Sequence, residues 1–104
     1  MRRGEVWEAD LPHPIKRRPV LILSRDQMPV GRQEITVAFV TSKLRNTPAQ
    51  VRLTPAEGLR LVSEVNLDSI NTIPKDLLVK RLGMLSATKM LEVAAAINFA
   101  LDLP

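Results

Sequence analysis

The chain has 104 residues, the length of one small domain, and its apolar fraction of 45% indicates a folded protein rather than a disordered one. It contains no cysteine, which excludes disulfides and thiolate metal sites, and its net charge of +4 favours RNA, DNA or an acidic protein segment as partner. No apolar run approaches the ~20 residues of a membrane span and no signal peptide is recognisable, so we expect one cytoplasmic domain over residues 1–104 with no membrane partner.

Three strands are predicted in the first half of the chain. Gly4–Leu11 alternates apolar and polar residues with the period of a strand, and the prolines of residues 12–14 end it. Pro19–Ser24 is a short apolar run, which is typical of a buried strand. Glu34–Thr41 is rich in β-branched residues and is predicted as the third strand.

Further short elements follow in the second half. Gln50–Leu53 alternates and predicts a short strand, and the apolar pattern of Val62–Ile73 predicts one or two strands with a kink. Pro74–Leu78 is expected to form one helical turn, because proline is accepted in the first turn of a helix. Arg81–Leu85 is predicted as the last strand.

A helix is predicted at the C-terminal end of the chain. Ser86 is a good N-cap residue, and apolar residues follow it at helical spacing: Met90, Val93, Ala94, Ile97 and Leu101. Many short strands followed by one amphipathic helix predict a mainly β protein, a small barrel with a helix packed on it.

The residue inventory excludes several kinds of chemistry. His13 is the one histidine, so no pair of imidazoles can share acid and base roles within one chain. No His, Asp or Glu cluster has metal-ligand spacing, and the four glycines form no phosphate loop. The one clear helix is mostly apolar and does not resemble a DNA-recognition helix. We expect neither a metal ion nor a cofactor.

Basic residues gather beside two predicted strand ends. Arginine suits phosphate because its planar guanidinium donates two parallel hydrogen bonds. The alternative is a solvated basic rim that keeps strand edges from pairing with other chains. The residues are Lys16, Arg17 and Arg18 before the second strand, and Lys43 and Arg45 after the third.

Three further polar residues are candidates for a site. His13 lies in a loop between two prolines and is interpreted either as an acid or base or as an ordinary exposed residue. Thr41 and Ser42, at a strand end, could donate hydrogen bonds to an anion, or could simply be polar residues that end a strand.

Four segments carry recognisable patterns in a fixed order. Arg3–Leu11 fits R-G-[DE]-[VI]-[WY]-x-x-D-L, and Arg18–Ser24 fits R-P-[VA]-[LV]-[VI]-[IL]-S. Thr36–Ser42 fits T-V-x-x-x-[TP]-[TS]. The remaining part of the chain is similar to I-G-x-L-S…M…L-x-L in Leu82–Ser86, Met90 and Leu101–Leu103. Together these patterns resemble the MazF/PemK toxin family, and the likeness covers nearly the whole chain.

The resemblance implies a fold and an activity. The family has a small SH3-like barrel with a C-terminal helix, usually as a homodimer, and cleaves single-stranded RNA at specific sequences. Cleavage needs no metal and leaves 2′,3′-cyclic phosphate and 5′-hydroxyl ends. Arg18 matches the family's catalytic arginine and Thr41 its catalytic threonine. The implied partner is a cognate antitoxin with an acidic, flexible tail.

Departures from the family pattern concern RNA recognition. The loop Pro12–Arg17 is shorter than usual and lacks the family's common Gly and Glu, and Ser69–Asn71 stands in place of a Q-x-R pattern. The polar residues of this region could read base edges or could satisfy backbone groups in an irregular segment. His13 is a possible acid or base. The RNA-binding candidates are Lys16, Arg17, Ser42, Lys43, Arg45, Asn66, Ser69 and Asn71.

Two other functions remain open at this point. One is a gyrase-poisoning toxin like CcdB, which has the same barrel and engages its target through a C-terminal tryptophan. The last residues here contain no tryptophan, and Arg18 and Thr41 are in place, which favours the ribonuclease. The other is a basic barrel that binds RNA without cutting it; such a protein would keep its function when Arg18 is replaced by alanine.

Overall fold

Six antiparallel strands form one curled sheet in the computed structural model, which describes residues 1–104. The strand order in the sheet is β4-β5-β3-β2-β1-β6, so β4 and β6 are its edges. One helix, α1 (Ala87–Ala100), follows the last strand. The strands are β1 (Glu5–Asp10), β2 (Arg17–Ile22), β3 (Glu34–Thr41), β4 (Gln50–Leu53), β5 (Ser63–Pro74) and β6 (Leu78–Met84).

The predicted mainly β architecture with a C-terminal helix is confirmed, and the sheet is a half-barrel. Residues 62–73 were predicted as one or two kinked strands. They form one strand with an irregularity: Ala38 lies opposite Ile70 but the next β3 residue, Phe39, lies opposite Asn66. Three β5 residues therefore lie between Asn66 and Ile70, the partners of two consecutive β3 residues. This irregularity bends the strand and helps to curl the sheet. The predicted helical turn is a 3-10 turn over Lys75–Leu77.

The start of β2 differs from the prediction. The strand begins at Arg17 rather than at Pro19, because β1 continues its ladder down to Asp10 and pairs Asp10 with Arg17 and Ala9 with Arg18. Both arginines therefore belong to a strand held in the sheet, and do not lie in a loop before it. The last strand also begins earlier than predicted, at Leu78.

The central strands are buried on both faces. Successive strand residues point to opposite faces, so that Leu21 joins one apolar cluster while Val20 and Ile22 join the other. The first cluster lies beneath α1 and the second lies on the opposite face of the sheet. Burial on both sides fixes β2 and β3 firmly, and the side chains at their ends inherit that rigidity.

Helix α1 packs along a narrower line than the sequence predicted. Ser86 caps it, with its Oγ accepting from the Lys89 backbone N–H at 3.1 Å. The buried line runs through Val93 and Ala96, with Met90, Ile97 and Ala100 half-buried beside them. The prediction was wrong for Ala94 and Leu101, which are exposed: Ala94 lies about 100° around the helix from Val93, and Leu101 follows the last helical residue. At 14 residues the helix is too short to cross a membrane.

A 3-10 turn over Pro55–Glu57 packs backbone-to-backbone against β6. Gly58 ends the turn in the left-handed region, with φ +96°. A Cβ atom on Gly58 would overlap the carbonyl group of Leu82, and one on Gly83 would overlap the carbonyl group of Glu57. The two glycines therefore permit a close approach that brings the segment after the turn beside the beginning of β2 and the end of β3.

Candidate active site

A cleft of about 360 Å³ opens where β2 begins and β3 ends. Three arginines and one glutamate are among the residues that line it, so its surroundings are positively charged. Residues from β1, β2, β3, β5, β6 and the segment after the 3-10 turn contribute. The lining residues are Glu8, Arg17, Arg18, Pro19, Val40, Thr41, Ser42, Gly58, Leu59, Arg60, Leu61, Ser63 and Leu82.

The sheet register brings Arg18 and Thr41 together. In the pairing of β2 with β3, Val20 lies opposite Phe39, and continuing that register by two residues places Arg18 opposite Thr41. Residues that face each other across an antiparallel pair point to the same side of the sheet with their Cβ atoms about 4.5–5.5 Å apart. Arg18 and Thr41, 23 positions apart in sequence, thus become neighbours on the face of the sheet that also carries Phe39.

The Arg18 guanidinium is held by an aromatic ring and retains unused donors. Its Cζ atom lies 5.4 Å from the centroid of the Phe39 ring, a cation–π contact. Its Nε is buried and has no hydrogen-bond partner in the chain. Because buried N–H donors are nearly always paired, this arrangement suits an anionic oxygen arriving from outside the chain.

The Thr41 hydroxyl is oriented by the loop that follows it. Its Oγ1 accepts a hydrogen bond from the backbone N–H of Lys43 at 3.1 Å. A hydroxyl carries one donor and two acceptor sites, so Thr41 keeps its O–H available for a further partner. The Thr41 hydroxyl and the Arg18 guanidinium therefore lie on the same face of the sheet, the face that carries Phe39.

Glu8 and Arg17 form an ion pair in the cleft. Nη1 of Arg17 donates to Oε2 of Glu8 at 2.9 Å. The Arg17 side chain is 56% exposed and that of Glu8 is 34% exposed, so solvent and ligands reach both. An exposed pair of this kind contributes little to stability, and its position in the cleft is its more informative property.

The structure brings four of the predicted site residues together and leaves the others outside the cleft. Arg17, Arg18, Thr41 and Ser42 line it. Four further candidates are exposed on the two loops that lead into β2 and out of β3. These are His13, Lys16, Lys43 and Arg45.

The three polar candidates on β5 lie away from the cleft. Asn66 donates through Nδ2 to Ser69 Oγ at 3.2 Å, and its Oδ1 accepts from the backbone N–H of Asp68 at 2.9 Å. These two side chains therefore stabilise the irregular part of β5, the structural alternative considered from the sequence. Asn71 is exposed and lies opposite Val37 of β3.

Three polar residues of the cleft were missed from the sequence. Glu8 looks like an ordinary polar position in an alternating strand, and Arg60 and Ser63 follow a turn without any recognisable motif. Their shared location depends on the approach of the 3-10 turn to β6, which no local pattern reveals. No group of three or more His, Asp or Glu side chains with the arrangement of a metal site is present.

A buried carboxylate fixes the loop that follows Thr41. Glu64 is 2% exposed and lies opposite Thr41 in the β3–β5 register. Arg52 pairs with its Oε2 at 3.3 Å. The Oε1 atom accepts from Arg45 N at 2.8 Å, Asn46 N at 3.3 Å and Gln50 Nε2 at 2.8 Å.

These contacts decide the ionisation of Glu64. Burial by itself would raise the pKa of the carboxyl group. The hydrogen bonds donated by the Arg45 and Asn46 backbones and by Arg52, together with the Arg52 charge, outweigh burial and hold the pKa below its usual value. Glu64 is therefore a charged anchor that ties the loop after β3 to β5.

Comparison with known proteins identifies the family. Residues 2–101 match the family model of the PemK-like, MazF-like toxins of type II toxin–antitoxin systems. The chain belongs to this family. Among curated MazF proteins it is 37% identical over 101 residues to a probable endoribonuclease, MazF5, of Mycobacterium tuberculosis, covering 96% of this chain and 92% of the relative. It is also 32% identical over 116 residues to endoribonuclease MazF9 of the same organism, covering 99% and 98%.

Solved MazF structures share the fold over its full extent. The Mycobacterium tuberculosis toxin MazF-mt6 superposes with a TM-score of 0.88 at 34% identity, covering 96% of this chain and 98% of that one. An endoribonuclease from a mycobacterial species, solved in complex with its cognate antitoxin, superposes with a TM-score of 0.88 at 30% identity, covering 100% and 97%. The half-barrel with one C-terminal helix is thus the MazF fold.

Proposed function

We propose that this MazF-family chain is an endoribonuclease toxin that cleaves single-stranded RNA at specific sequences without a metal ion. The products are a 2′,3′-cyclic phosphate and a 5′-hydroxyl. The observation that carries the proposal is the pairing of Arg18 with Thr41 on one face of the sheet, where Arg18 keeps a buried Nε without a hydrogen-bond partner. The curated relatives named as endoribonucleases support the same activity.

The chemistry needs few groups, because RNA carries its own nucleophile. The 2′-hydroxyl lies next to the scissile phosphate, so the protein must orient the strand, manage two protons and stabilise the charge that builds on phosphorus. Arg18 is proposed to donate charge-assisted hydrogen bonds to the phosphate and to act as its stabiliser, since a guanidinium stays protonated. Thr41 is proposed to donate its O–H to another phosphate oxygen.

The other cationic and hydroxyl groups are proposed to position the strand. Arg17, Arg60 and Ser42 line the cleft and suit other phosphates of the strand. The exposed loop residues would extend the positive charge along the RNA on both sides. These are Lys16, Lys43 and Arg45. His13, in the same loop as Lys16, and Asn71, exposed on β5, are proposed as further contacts to the RNA.

Incubation with a long single-stranded RNA in EDTA tests the proposal. We expect discrete cuts whose new 5′ ends accept phosphate from polynucleotide kinase without prior phosphatase treatment, because transesterification leaves a 5′-hydroxyl. Sequencing those ends gives the recognition sequence, and a DNA strand of the same sequence should stay intact because it lacks the 2′-hydroxyl. RNA that remains whole, or cuts that carry 5′-phosphates, would contradict the proposal.

Two protein partners belong to the proposal: a second copy of the chain and an antitoxin with an acidic, flexible tail. A positive cleft that accepts RNA can also accept an acidic segment that folds on binding, and a similar endoribonuclease was solved with its cognate antitoxin. For the homodimer, α1 leaves apolar side chains exposed, including Leu91 at 73% and Phe99 at 59%. Covering such residues is a common role of a symmetric interface.

Saturating antitoxin is expected to abolish RNA cleavage. The acidic tail and RNA would compete for the same cationic side chains, so an antitoxin whose tail carboxylates are replaced by amides should inhibit much less. Sedimentation of the free toxin should give twice the 11.6 kDa of one chain. Cleavage that continues at saturation would show that the antitoxin binds elsewhere, and a monomer that cuts RNA would contradict the homodimer.

A further inference from the structure

Four polar side chains form a row across four neighbouring strands, on the face of the sheet that carries Phe39. Arg18 on β2 lies beside Thr41 on β3, by the register described above. Thr41 lies opposite Glu64 of β5, and Glu64 lies opposite Arg52 of β4. Because opposite residues of an antiparallel pair point to the same side of a sheet, Arg52 shares a face with the two residues proposed to hold the reacting phosphate.

The burial of neighbouring residues confirms the side on which Arg52 lies. Val51 and Leu53, which flank Arg52 on β4, both belong to the apolar cluster beneath α1. Successive strand residues point to opposite faces, so Arg52 points to the other face. Its ion pair with Glu64, in which Nη2 lies 3.3 Å from Oε2, joins the two side chains on that face.

The Arg52 guanidinium is fixed at one end and free at the other. Its Nη2 donates to Oε2 of Glu64 and to Oδ1 of Asn46, whereas Nε and Nη1 have no hydrogen-bond partner in the chain. A guanidinium carries five N–H donors, so the three on Nε and Nη1 remain for a ligand. The Arg52 side chain is 42% exposed while Glu64 is buried, so an arriving anion meets the cation rather than its carboxylate partner.

The position of Arg52 suits an RNA strand that crosses the sheet from β2 towards β4. Neighbouring strands are about 4.8 Å apart, so with β5 between β3 and β4, Arg52 lies about 10 Å from Thr41 across the sheet. The phosphates of one strand advance by about 3.4 Å or more per nucleotide, so this distance covers at most about three nucleotides. The basic loop that carries Lys43 and Arg45 lies between them, since the Arg45 backbone donates to Glu64.

We propose that Arg52 binds a backbone phosphate of the RNA within about three nucleotides of the cut. The role rests on the proposed ribonuclease activity, and it extends the phosphate-binding surface along the Phe39 face to the edge strand β4. Arg52 does not touch the reacting atoms, so it strengthens RNA binding and leaves the chemical step unchanged. A phosphate contact carries no sequence information, so the cut positions are the same with and without it.

Arg52→Ala tests this role through RNA affinity. The probe is the RNA segment mapped in EDTA, with a 2′-deoxy nucleotide at the cut so that the strand stays whole. We expect the Kd to rise about tenfold, the loss of one charge-assisted contact. The slope of log Kd against log salt concentration should fall by about 0.7. With cleavable RNA, KM should rise while kcat changes by less than about threefold.

Two variants serve as controls. Arg52→Lys keeps the positive charge and should keep the salt slope of the unchanged chain. Arg32→Ala removes an equal charge from the exposed loop between β2 and β3, at the opposite end of those strands from Thr41, and should bind RNA normally. Glu64 keeps its other hydrogen bonds in Arg52→Ala, so we expect a folded protein, which thermal unfolding checks.

A phosphate scan locates the contact and separates binding from a purely structural role. Each phosphate near the cut is replaced in turn by a neutral methylphosphonate, with a 2′-O-methyl group on the preceding nucleotide to keep the strand intact. In the unchanged chain, neutralising one particular phosphate should weaken binding about as much as Arg52→Ala does. In Arg52→Ala that same replacement should have no further effect, whereas a role limited to holding Glu64 would leave the effect of every phosphate in place.

Two results would overturn the proposal. One is an Arg52→Ala protein whose salt slope is unchanged and whose binding still depends on every phosphate that matters to the unchanged chain. The other is normal RNA binding together with weaker binding of the antitoxin, which would make Arg52 part of the protein interface instead. Neither result affects the ribonuclease proposal, which the EDTA cleavage assay tests on the unchanged chain.

Discussion

Replacing Arg18 with alanine is expected to lower kcat for RNA cleavage about 10²- to 10³-fold, the usual effect of removing a donor that stabilises transition-state charge. The guanidinium contributes directional hydrogen bonds and positive charge where the phosphate becomes more negative. Arg18→Lys should recover only a small part of the rate, because an ammonium group lacks the planar pair of donors. The measurement is single-turnover cleavage of the mapped RNA segment in EDTA.

Stability should change little in Arg18→Ala, and this separates a chemical defect from an unfolded protein. Arg18 Nε makes no hydrogen bond in the chain, and the contact with Phe39 is expected to contribute about 0.5–1 kcal/mol. Thermal unfolding of the variant should therefore remain close to that of the unchanged protein. Cleavage within threefold of the normal rate would remove Arg18 from the mechanism and would favour a protein that acts by binding alone.

Replacing Glu64 with leucine is expected to reduce the free energy of unfolding by about 2–4 kcal/mol. Leucine leaves the backbone N–H groups of Arg45 and Asn46 and the amide of Gln50 without their acceptor, and each lost partner of a buried donor costs about 1–3 kcal/mol if water cannot replace it. The loop after β3 would loosen, so kcat should also fall. Urea unfolding and single-turnover cleavage on the same preparation measure the two effects.

The pH dependence of stability tests the charge of Glu64 separately. Its pKa in the folded chain lies below the unfolded value, which is about 4.3. The stabilisation is therefore fully present above the unfolded pKa and is lost as pH falls through the folded one. Glu64→Gln should be clearly less stable than the unchanged chain at pH 7, and the difference should shrink in acid. A difference that stays constant down to about pH 2 would contradict an ionised Glu64.

Glu5 provides the matched control for Glu64. Burial would raise the pKa of Glu5, but hydrogen bonds from Trp7 Nε1 and the Arg2 backbone, with nearby positive charge that includes Arg81, lower it overall. Glu5→Gln should therefore also lose stability at pH 7 more than in acid. Because Glu5 does not line the cleft, its variant should keep a normal kcat under conditions where it is folded.

Local patterns were sufficient to predict most of the architecture. The alternation in β1, the β-branched run of β3 and the N-cap at Ser86 each report on the backbone within a few residues. The curl of the sheet could not be predicted in this way. It depends on the three β5 residues that lie between the β5 partners of Ala38 and Phe39. The exposure of Ala94 likewise depends on which neighbours α1 meets, and apolar spacing alone does not encode that.

The candidate site was only partly predictable. Arg18 and Thr41 were found because they sit in segments that resemble a family, and the structure makes them neighbours through the β2–β3 register. Glu8 and Arg60 carry no local signal, because an acidic residue in a strand and an arginine after a turn are ordinary surface residues. Their importance comes from long-range packing: β1 places Glu8 beside Arg17, and the contact of Gly58 with Gly83 brings Arg60 to the same cleft.

The pairing of β1 with β6 has a consequence for synthesis of the protein. Glu5 lies opposite Met84, so β1 cannot complete its ladder until the ribosome has made β6. At the usual elongation rate of 5–20 residues per second, β1 waits roughly 4–15 s for that partner. The segment that carries Arg60 also reaches its final position only after β6 is made, because the 3-10 turn before it packs on Gly83. A nascent chain therefore carries Arg18 and Thr41 for seconds before β6 completes the sheet around them.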